Sequence, residues 1–363
     1  NDWGKVKVYA DYNFYTFSLR LNNLFAPDVD AIAQKENSGK DDYRTRVGAE
    51  FVSNLSENWD LALGAENESR SVGGYGLYAF SDQSAPLVTL FNQGKVDEFS
   101  MYSQFTYGAK NWQLHLGGRF TDNEKSGSKI TPRLALVYKL DKNQSLKFLY
   151  STGFNSPNPT QTSINLPGNT VGNDDLTAEV VKSFDIAYSY SKPNFLFVWN
   201  FYRLQAEDFI VRRFNESINS VSFYNEQEFD RHGLELDIQY VEDAYKVFAN
   251  FAFAHEGNSQ INDDLSAFRV PQVTASSGVS HKFKDVHTLG ANISYIGERQ
   301  NLDAYTLLNI NYNFQLSDYD VNITIKNILD EEIRNPDIAS LSSQLVAYGD
   351  NGVQYSIGVK YGF

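Results

Sequence analysis

Apolar and polar residues alternate with a period of two along almost the whole chain. Near the C-terminus one set is apolar: Val353, Tyr355, Ile357, Val359, Tyr361 and Phe363. The intervening set is small or polar: Gln354, Ser356, Gly358, Lys360 and Gly362. Segments 231–240, 305–315 and 319–328 repeat the alternation. Because successive side chains of a strand point to opposite faces, this pattern predicts β-strands with one apolar and one polar face.

The pattern predicts about 16 strands, and therefore an all-β, antiparallel fold. The predicted spans are 5–22, 42–53, 59–70, 97–108, 112–122, 130–140, 144–154, 178–191, 194–204, 230–241, 244–256, 270–282, 285–298, 305–315, 318–328 and 352–363.

The links between these strands differ in length in a regular way. Short links are Asn54–Asn58, Ala109–Asn111, Asp141–Asn143, Lys192–Pro193, Glu242–Asp243, Phe283–Lys284 and Leu316–Ser317. Long links are Asn23–Asp41, Ser71–Val96, Asn155–Thr177, Gln205–Phe229, Gly257–Arg269 and Leu329–Asn351. Short turns at one end and long loops at the other are typical of a transmembrane β-barrel, whose apolar face meets lipid and whose polar face lines the lumen.

Aromatic residues open several strands directly after a short polar turn. They are Trp3, Trp59, Trp112, Tyr245 and Tyr319. Trp and Tyr prefer the boundary between lipid and water, so these residues are expected to form the periplasmic aromatic girdle. Ordinary packing at strand ends is the alternative.

The composition agrees with a barrel and excludes other classes. The chain is 15% aromatic. It has no cysteine, which fits an outer-membrane protein that crosses an oxidising periplasm and also fits many cytosolic proteins. No stretch approaches the 18 apolar residues of a transmembrane helix. The formal net charge of −14 argues against nucleic acid as a partner, because no basic stripe is present to neutralise phosphates.

Several segments carry a family resemblance. They are ITPRLALVY at 130–138, LYSTGFNSP at 149–157, GNDDLTAE at 172–179, HGLEL at 232–236, IKNILDE at 325–331 and the final YGF at 361–363. In order and spacing they resemble the C-terminal part of a TonB-dependent outer-membrane receptor barrel. Asp174 and Ala178 depart from the family pattern, which has proline at both places.

The resemblance implies a barrel of about 22 strands, preceded by a plug domain and an energy-coupling box. Residues 1–363 are therefore expected to be one barrel domain without a plug, as a piece of a receptor. A natural plugless barrel is the alternative. The implied function is uptake of a scarce solute such as a ferric siderophore, with a passive porin-like channel as the alternative function.

The resemblance also implies partners and a location. The partners are outer-membrane lipid and lipopolysaccharide, the TonB complex through a plug that is not in this chain, and a small-molecule ligand. Tyr361 and Phe363 resemble the C-terminal signal that the barrel-assembly machinery reads. The expected location is the bacterial outer membrane, with both chain ends periplasmic.

Two sets of residues are candidates for function. The expected lumen-facing residues are Arg44, Arg46, Glu50, Glu66, Arg119, Arg133, Glu235 and Asp237. The expected ligand-binding residues lie in or beside the link Gln205–Phe229: Arg203, Arg212, Arg213, Tyr224 and Arg231. Arginine next to aromatic residues suits anionic or catecholate-type ligands.

Catalytic and metal-binding patterns are not found in the sequence. The five histidines, His115, His232, His255, His281 and His287, are scattered, and no cysteine joins them. We therefore expect no enzyme activity, no cofactor and no metal. The run Gly73–Gly76 is interpreted as loop flexibility. The acidic pairs Asp41-Asp42, Asp174-Asp175 and Asp263-Asp264 are interpreted as solvated loop charge rather than as Ca²⁺ sites.

Overall fold

The structure of the chain is a computed structural model. It describes residues 4–14, 18–21, 31–35, 42–79, 81–82, 84–166, 168–257, 270–284, 286–299, 302–336, 346–348 and 352–362. No helix of this part of the chain is both long and apolar enough to cross a membrane.

The described elements are almost all strands. In the first half they are β1 (Lys5–Phe14), β2 (Ser18–Leu21), β3 (Ala31–Lys35), β4 (Tyr43–Ser56), β5 (Trp59–Val72), β6 (Tyr75–Ala79), β7 (Val88–Phe91), β8 (Gly94–Gly108), β9 (Trp112–Asn123), β10 (Gly127–Lys139) and β11 (Gln144–Asn155), followed by a short helix, α1 (Pro159–Ser163). In the second half they are β12 (Asn165–Leu166), β13 (Thr170–Val171), β14 (Glu179–Lys192), β15 (Phe195–Asn215), β16 (Ser220–Val241), β17 (Tyr245–Glu256), β18 (Val273–Phe283), β19 (His287–Ile296), β20 (Tyr305–Leu316), β21 (Tyr319–Lys326), β22 (Arg334–Pro336), β23 (Val346–Tyr348) and β24 (Gln354–Tyr361).

Eighteen of the described strands belong to one sheet. Two of these are the short β12 and β13, and the other sixteen are the long strands that the alternating pattern predicts. The prediction of an all-β, antiparallel fold with about 16 strands is therefore confirmed. The short links of the sequence are the tight turns between consecutive long strands, such as Glu57-Asn58 between β4 and β5.

The chain divides into two compact units. Unit 1 comprises Asn1–Leu136, Leu149–Ser183 and Gln205–Phe229, and unit 2 comprises Val137–Phe148, Phe184–Leu204 and Asp230–Phe363. In unit 1, β1, β4, β5, β8 and β9 pair in that order, each antiparallel to the next. A separate four-stranded sheet, β2-β3-β6-β7, also belongs to unit 1.

Unit 2 contains a second run of consecutive antiparallel pairs. Strands β16, β17, β18, β19, β20, β21 and β24 pair in that order. The polar positions of β20 and β21 hydrogen-bond across the strands: Asn311 Nδ2 donates to Thr324 Oγ1 at 3.0 Å, and Asn322 Nδ2 donates to Asn313 Oδ1 at 2.5 Å.

Both units leave their apolar face uncovered. In unit 1, large exposed hydrophobic residues from five strands share one face: Val8, Val47, Leu63, Met101 and Leu116. In unit 2 the same holds for Val247, Val279, Leu289, Ile357 and Val359. Val8 is 73% exposed and Ile357 is 74% exposed. Uncovered apolar residues on one face of neighbouring strands mark a surface that meets lipid or another protein.

Three predicted extents are wrong. The strand predicted over 5–22 ends at Phe14, and Ser18–Leu21 belongs to the separate four-stranded sheet. The link Gln205–Phe229 is not an irregular loop, because β15 and β16 continue through it, and Ile210 and Phe223 pack there with Leu176. The run Gly73–Gly76 is not a flexible loop throughout, because Tyr75 begins β6 and is only 7% exposed.

Candidate functional site

The polar face of unit 1 is organised around Glu66, on β5. Glu66 Oε2 accepts a hydrogen bond of 2.6 Å from the Tyr9 hydroxyl on β1. Glu66 Oε1 lies 3.3 Å from Arg119 Nη2 on β9, and Oε2 lies 3.7 Å from Arg46 Nη1 on β4. The Glu66 side chain is 13% exposed, so its charge is held mainly by these partners. One carboxylate therefore connects three other strands of the unit.

A second set of ion pairs continues this face toward the long-loop end of the strands. Glu68 lies between Arg44 at 2.9 Å and Arg70 at 2.8 Å. Arg70 also reaches Glu98 at 3.1 Å. Because acids and arginines alternate, each charge has a partner of opposite sign, and the face is polar with little net charge.

Two tyrosines cross the polar face where a glycine makes room for the ring. The Tyr9 ring passes over Gly48 to reach Glu66, and a Cβ atom at Gly48 would lie 2.6 Å from Tyr9 Cζ. The Tyr102 ring covers Gly64 in the same way, and its hydroxyl donates to Glu50 Oε2 at 2.6 Å. The close approach of each ring requires glycine at these two positions.

The residues predicted to face the lumen fall into two groups. Arg44, Arg46, Glu50, Glu66 and Arg119 share the polar face of unit 1 and its hydrogen-bond network. Arg133 belongs to the same unit and lies against Gly117.

Glu235 and Asp237 lie in unit 2. Glu235 accepts a hydrogen bond of 3.3 Å from Asn200 Nδ2, and Asp237 accepts one of 3.2 Å from Gln239 Nε2. That these faces line a lumen stays a prediction.

Unit 1 also contains a cavity of about 260 Å³ beside the long-loop ends of its strands. Its lining includes the apolar groups Phe91, Pro157 and Leu176 and the cations Lys95 and Lys125. Lys95 pairs with Asp97 at 2.9 Å, and Lys125 pairs with Asp174 at 3.6 Å. A concave, largely apolar site with a few polar groups is the usual form of a small-molecule pocket.

The segment beside this cavity has a core of its own. Leu176, Ile210 and Phe223 are buried together, with Ile164 packed against them. Glu179 connects two parts of the segment, because its Oε1 accepts from the backbone N–H of Ile210 at 2.8 Å and its Oε2 accepts from Asn155 Nδ2 at 2.9 Å. These contacts give the described long-loop end of unit 1 a fixed shape.

Asp42 corrects the interpretation of the acidic pairs as solvated charge. Its side chain is fully buried. It accepts hydrogen bonds from the backbone N–H of Gly73 at 2.6 Å and from the Tyr75 hydroxyl at 2.5 Å. Asp174 is exposed, as expected of solvated charge, and Asp41, Asp263 and Asp264 lie outside the described residues.

The five predicted ligand-binding residues are divided between the two units. In unit 2, Arg203 bonds Asp230 at 2.5 Å, and Arg231 bonds Glu256 at 2.5 Å. Asp230 and Arg231 are consecutive on β16, so these two ion pairs belong to opposite faces of the sheet.

The other three lie in unit 1. The Arg212 guanidinium is 5.9 Å from the centre of the Phe223 ring. The Tyr224 hydroxyl accepts from Asn215 Nδ2 at 2.7 Å. Arg213, on β15, is partly exposed. The cavity-lining residues were missed because they come from segments far apart in sequence, and no local pattern marks them.

The predicted aromatic girdle agrees with the positions of four of its members. Trp59, Trp112, Tyr245 and Tyr319 are the first residues of β5, β9, β17 and β21, and each is exposed. In unit 2, His281 stacks on Tyr245 with ring centres 4.3 Å apart, and Phe283 stacks on His287 at 5.2 Å. That these rings form a girdle at a membrane boundary stays a prediction. Trp3 and Phe363 lie outside the described residues.

Two aspartates in turns have shifted acidities. The backbone N–H of Asn143 donates to Asp141 at 2.7 Å and lowers the pKa of that carboxyl below its usual value. The backbone N–H of Ser84 lowers the pKa of Asp82 in the same way. Both shifts come from local turn geometry rather than from a reactive site.

Histidine and acidic side chains, which can bind metal ions, come together in groups of at most two among the described residues. No group of three or more His, Asp or Glu side chains is close enough to hold a metal ion, among the residues that can be described. The histidines are less scattered than the sequence suggests, because His232 and His255 are directly opposite each other on β16 and β17.

Comparisons with known proteins show what the chain resembles. A family model described as TonB dependent receptor-like, beta-barrel matches residues 1–328. No curated protein matches the chain.

Among solved structures, the siderophore receptor PirA of Acinetobacter baumannii is similar, with a TM-score of 0.70 and 18% identity over 99% of this chain and 60% of that chain. The ferric enterobactin receptor PfeA of Pseudomonas aeruginosa has a TM-score of 0.67 and 14% identity, over 100% of this chain and 60% of that chain. The FrpB iron transporter of Neisseria meningitidis has a TM-score of 0.63 and 14% identity, over 93% of this chain and 61% of that chain. The chain thus spans about 60% of the length of the first two, and at these identities the likeness shows the fold alone.

Proposed function

Because the chain belongs to the TonB-dependent receptor-like β-barrel family, we propose that it forms the wall of a receptor that takes up a scarce solute of the ferric siderophore class. The family match confirms the predicted recognition and the barrel class. TonB-dependent receptors are transporters and not enzymes, so transport is the class of activity. The solute, the route and the energy source belong to the proposal.

The observation that carries the proposal is the contrast between the two faces of unit 1. Val8 and Val47 are uncovered on one face, whereas Glu66 is enclosed by cations and a tyrosine on the other. A soluble protein would bury the apolar face, and an outer-membrane barrel turns it toward lipid. We assign the apolar face to the membrane and the polar face to the interior.

The proposed ligand site is the cavity of unit 1. It combines apolar and aromatic lining with amines that are within reach of an anionic or catecholate group. It lies beside the segment whose core is Leu176, Ile210 and Phe223, so its shape is held before ligand arrives. The similar solved structures include proteins described as a siderophore receptor and as a ferric enterobactin receptor, which supports the solute class.

The remaining parts of the proposal concern partners and location. The apolar face contacts outer-membrane lipid and lipopolysaccharide, and both chain ends lie on the periplasmic side. Tyr361 and Phe363 are read by the barrel-assembly machinery. Energy reaches the receptor from the TonB complex through a plug domain.

A passive porin-like channel is the second candidate, because a continuous polar face is also what a water-filled pore needs. An uptake assay separates the receptor from the channel. Iron is supplied as a ferric catecholate siderophore, and its uptake is measured in iron-starved cells with and without a working TonB. The receptor proposal predicts saturable uptake that is lost without TonB. Uptake that persists without TonB and rises in proportion to concentration would favour the channel.

The ligand site has its own test. Tryptophan fluorescence of the purified chain is titrated with ferric enterobactin, and Lys125→Glu is compared with Lys142→Glu in the exposed β10–β11 turn. The proposal expects weaker binding only for Lys125→Glu. Equal affinities for the two variants would place ligand elsewhere.

A further inference from the structure

His232 and His255 form a pair that the proposed function does not use. They are directly opposite residues of the antiparallel strands β16 and β17, both in unit 2. Their ring centres are 5.1 Å apart, with the ring planes at 61°. His232 is partly exposed and His255 is exposed, so both rings are within reach of ions in solution.

The pair lies at the border of the apolar face. The next pair on the same face, Leu234 and Phe253, is apolar, and Phe253 is 37% exposed. On the other side of the pair is Asp230, which bonds Arg203. Arg231 and Glu256 are each next in sequence to one of the two histidines, so their ion pair lies on the opposite face of the sheet. The two imidazoles thus lie where aliphatic residues give way to charged ones.

We propose that His232 and His255 bind one divalent transition-metal ion, with Zn²⁺ as the best fit. A tetrahedral Zn²⁺ ion holds histidine nitrogen at about 2.0–2.1 Å. With roughly 1.1 Å from nitrogen to ring centre, two imidazoles on such an ion have centres about 5.2 Å apart. The observed 5.1 Å matches this separation.

The chemistry of the ligands limits the ion. Neutral imidazole nitrogen suits Zn²⁺, Ni²⁺ and Cu²⁺, whereas Ca²⁺ and Mg²⁺ prefer oxygen. Two histidines leave two positions of a tetrahedral ion for water, which agrees with the absence of a third close ligand among the described residues. The bound ion would tie β16 to β17 on the apolar side of the sheet and stabilise that pairing.

The rigidity of the two strands makes the pair a chelate. Residues Arg231–Val241 and Lys246–Glu256 pair without a register shift, so the second imidazole is already beside the first when the ion arrives. Once the ion is bound to one histidine, the second histidine binds it within the same molecule, at a high effective concentration. We take the resulting gain in Zn²⁺ affinity over a single histidine as roughly 100-fold. Either histidine alone should therefore bind much more weakly than the pair.

The test is calorimetric titration of the full 363-residue chain with Zn²⁺ in detergent micelles. We expect one site, an affinity about 100-fold weaker in His232→Asn and in His255→Asn, and no binding at this site in the double variant. His115→Asn, which removes a histidine on β9, is the matched control and should bind as the unchanged chain does. Circular dichroism and the unfolding temperature without metal show whether each variant is folded.

A second readout uses Cu²⁺ as a spectroscopic probe. Its electron paramagnetic resonance spectrum should show two nitrogen ligands in the unchanged chain and at most one in either single variant. Zn²⁺ affinity should also fall on acidification, because protons compete for the imidazoles. Unchanged affinity in folded His255→Asn, or a spectrum that does not respond to either substitution, would overturn the site.

Discussion

Replacement of Glu66 by glutamine tests whether the network on the polar face stabilises the sheet. The side chain keeps its shape but loses its charge and one of its two acceptor oxygens, so Tyr9 at 2.6 Å and Arg119 at 3.3 Å can no longer both donate to it. Arg46 keeps Asp11 at 2.9 Å and is not left without an acid.

The size of the effect follows from these distances. At 3.3 Å and an effective dielectric constant of about 20, the attraction between Glu66 and Arg119 is about 5 kcal/mol before desolvation and screening. Arg119 is 35% exposed, and pairs this open retain only a fraction of that energy. Charge-assisted hydrogen bonds exceed neutral ones by roughly 1 kcal/mol each. We expect Glu66→Gln to lower the free energy of unfolding by about 2 kcal/mol.

The assay is urea unfolding in detergent micelles, followed by the fluorescence of the four tryptophans. The control is Glu57→Gln, the same change in the exposed β4–β5 turn, with an expected effect within about 0.5 kcal/mol. A double-mutant cycle with Arg119→Gln should give a coupling of about 1 kcal/mol. Equal unfolding of Glu66→Gln and Glu57→Gln, or a coupling of zero, would mean that the network does not stabilise the sheet.

Three further predictions follow from single contacts. Gly64→Ala should destabilise the chain by about 1–3 kcal/mol because the new Cβ meets the Tyr102 ring, and Tyr102→Ala in the same chain should recover part of the loss; Gly94→Ala, with open space around it, is the control for urea unfolding. The pKa of Asp141 is lower in the folded chain, so its ionised carboxylate stabilises the fold at pH values above the unfolded-state pKa. This stabilisation is lost as the pH falls through the folded-state pKa. Asp141→Asn should therefore make the urea midpoint depend less on acid pH, and an unchanged dependence would contradict this. Leu176→Ala should leave a cavity beside Ile210 and Phe223 and speed hydrogen exchange of their amides, whereas Leu87→Ala at an exposed site should not.

The strands were predictable because each carries its own evidence in sequence. Near the C-terminus, Tyr355, Ile357 and Val359 alternate with small or polar residues, and this segment is the described strand β24. Gln205–Phe229 was misjudged because its strands pair beyond the apolar band, where buried Ile210 and Phe223 are separated by charged residues. Alternation of apolar and polar residues predicts a strand well when one whole face is apolar. It predicts a strand poorly when only one or two of its residues pack into a small buried cluster.

The site was less predictable than the fold. The sequence predicts that Arg44, Arg46 and Glu66 share one face, because every second side chain of a strand points to the same side of the sheet. The partners of Glu66 come from strands β1, β4 and β9, and sequence does not state which register brings them together. The ligand-binding role of Arg203 and Arg231 stays a prediction, and sequence did not show that each of them has an acid partner.

The central claim is that the apolar face meets lipid and the polar face meets water. The chain has no cysteine, so one introduced at a time on β4 gives a unique site for a fluorescent label. In lipid vesicles, labels at Val47 and Ala49 should be quenched by a lipid-attached quencher, and labels at Arg46 and Glu50 by iodide in solution. Quenching that is equal at all four positions, or reversed between the two sets, would contradict the account.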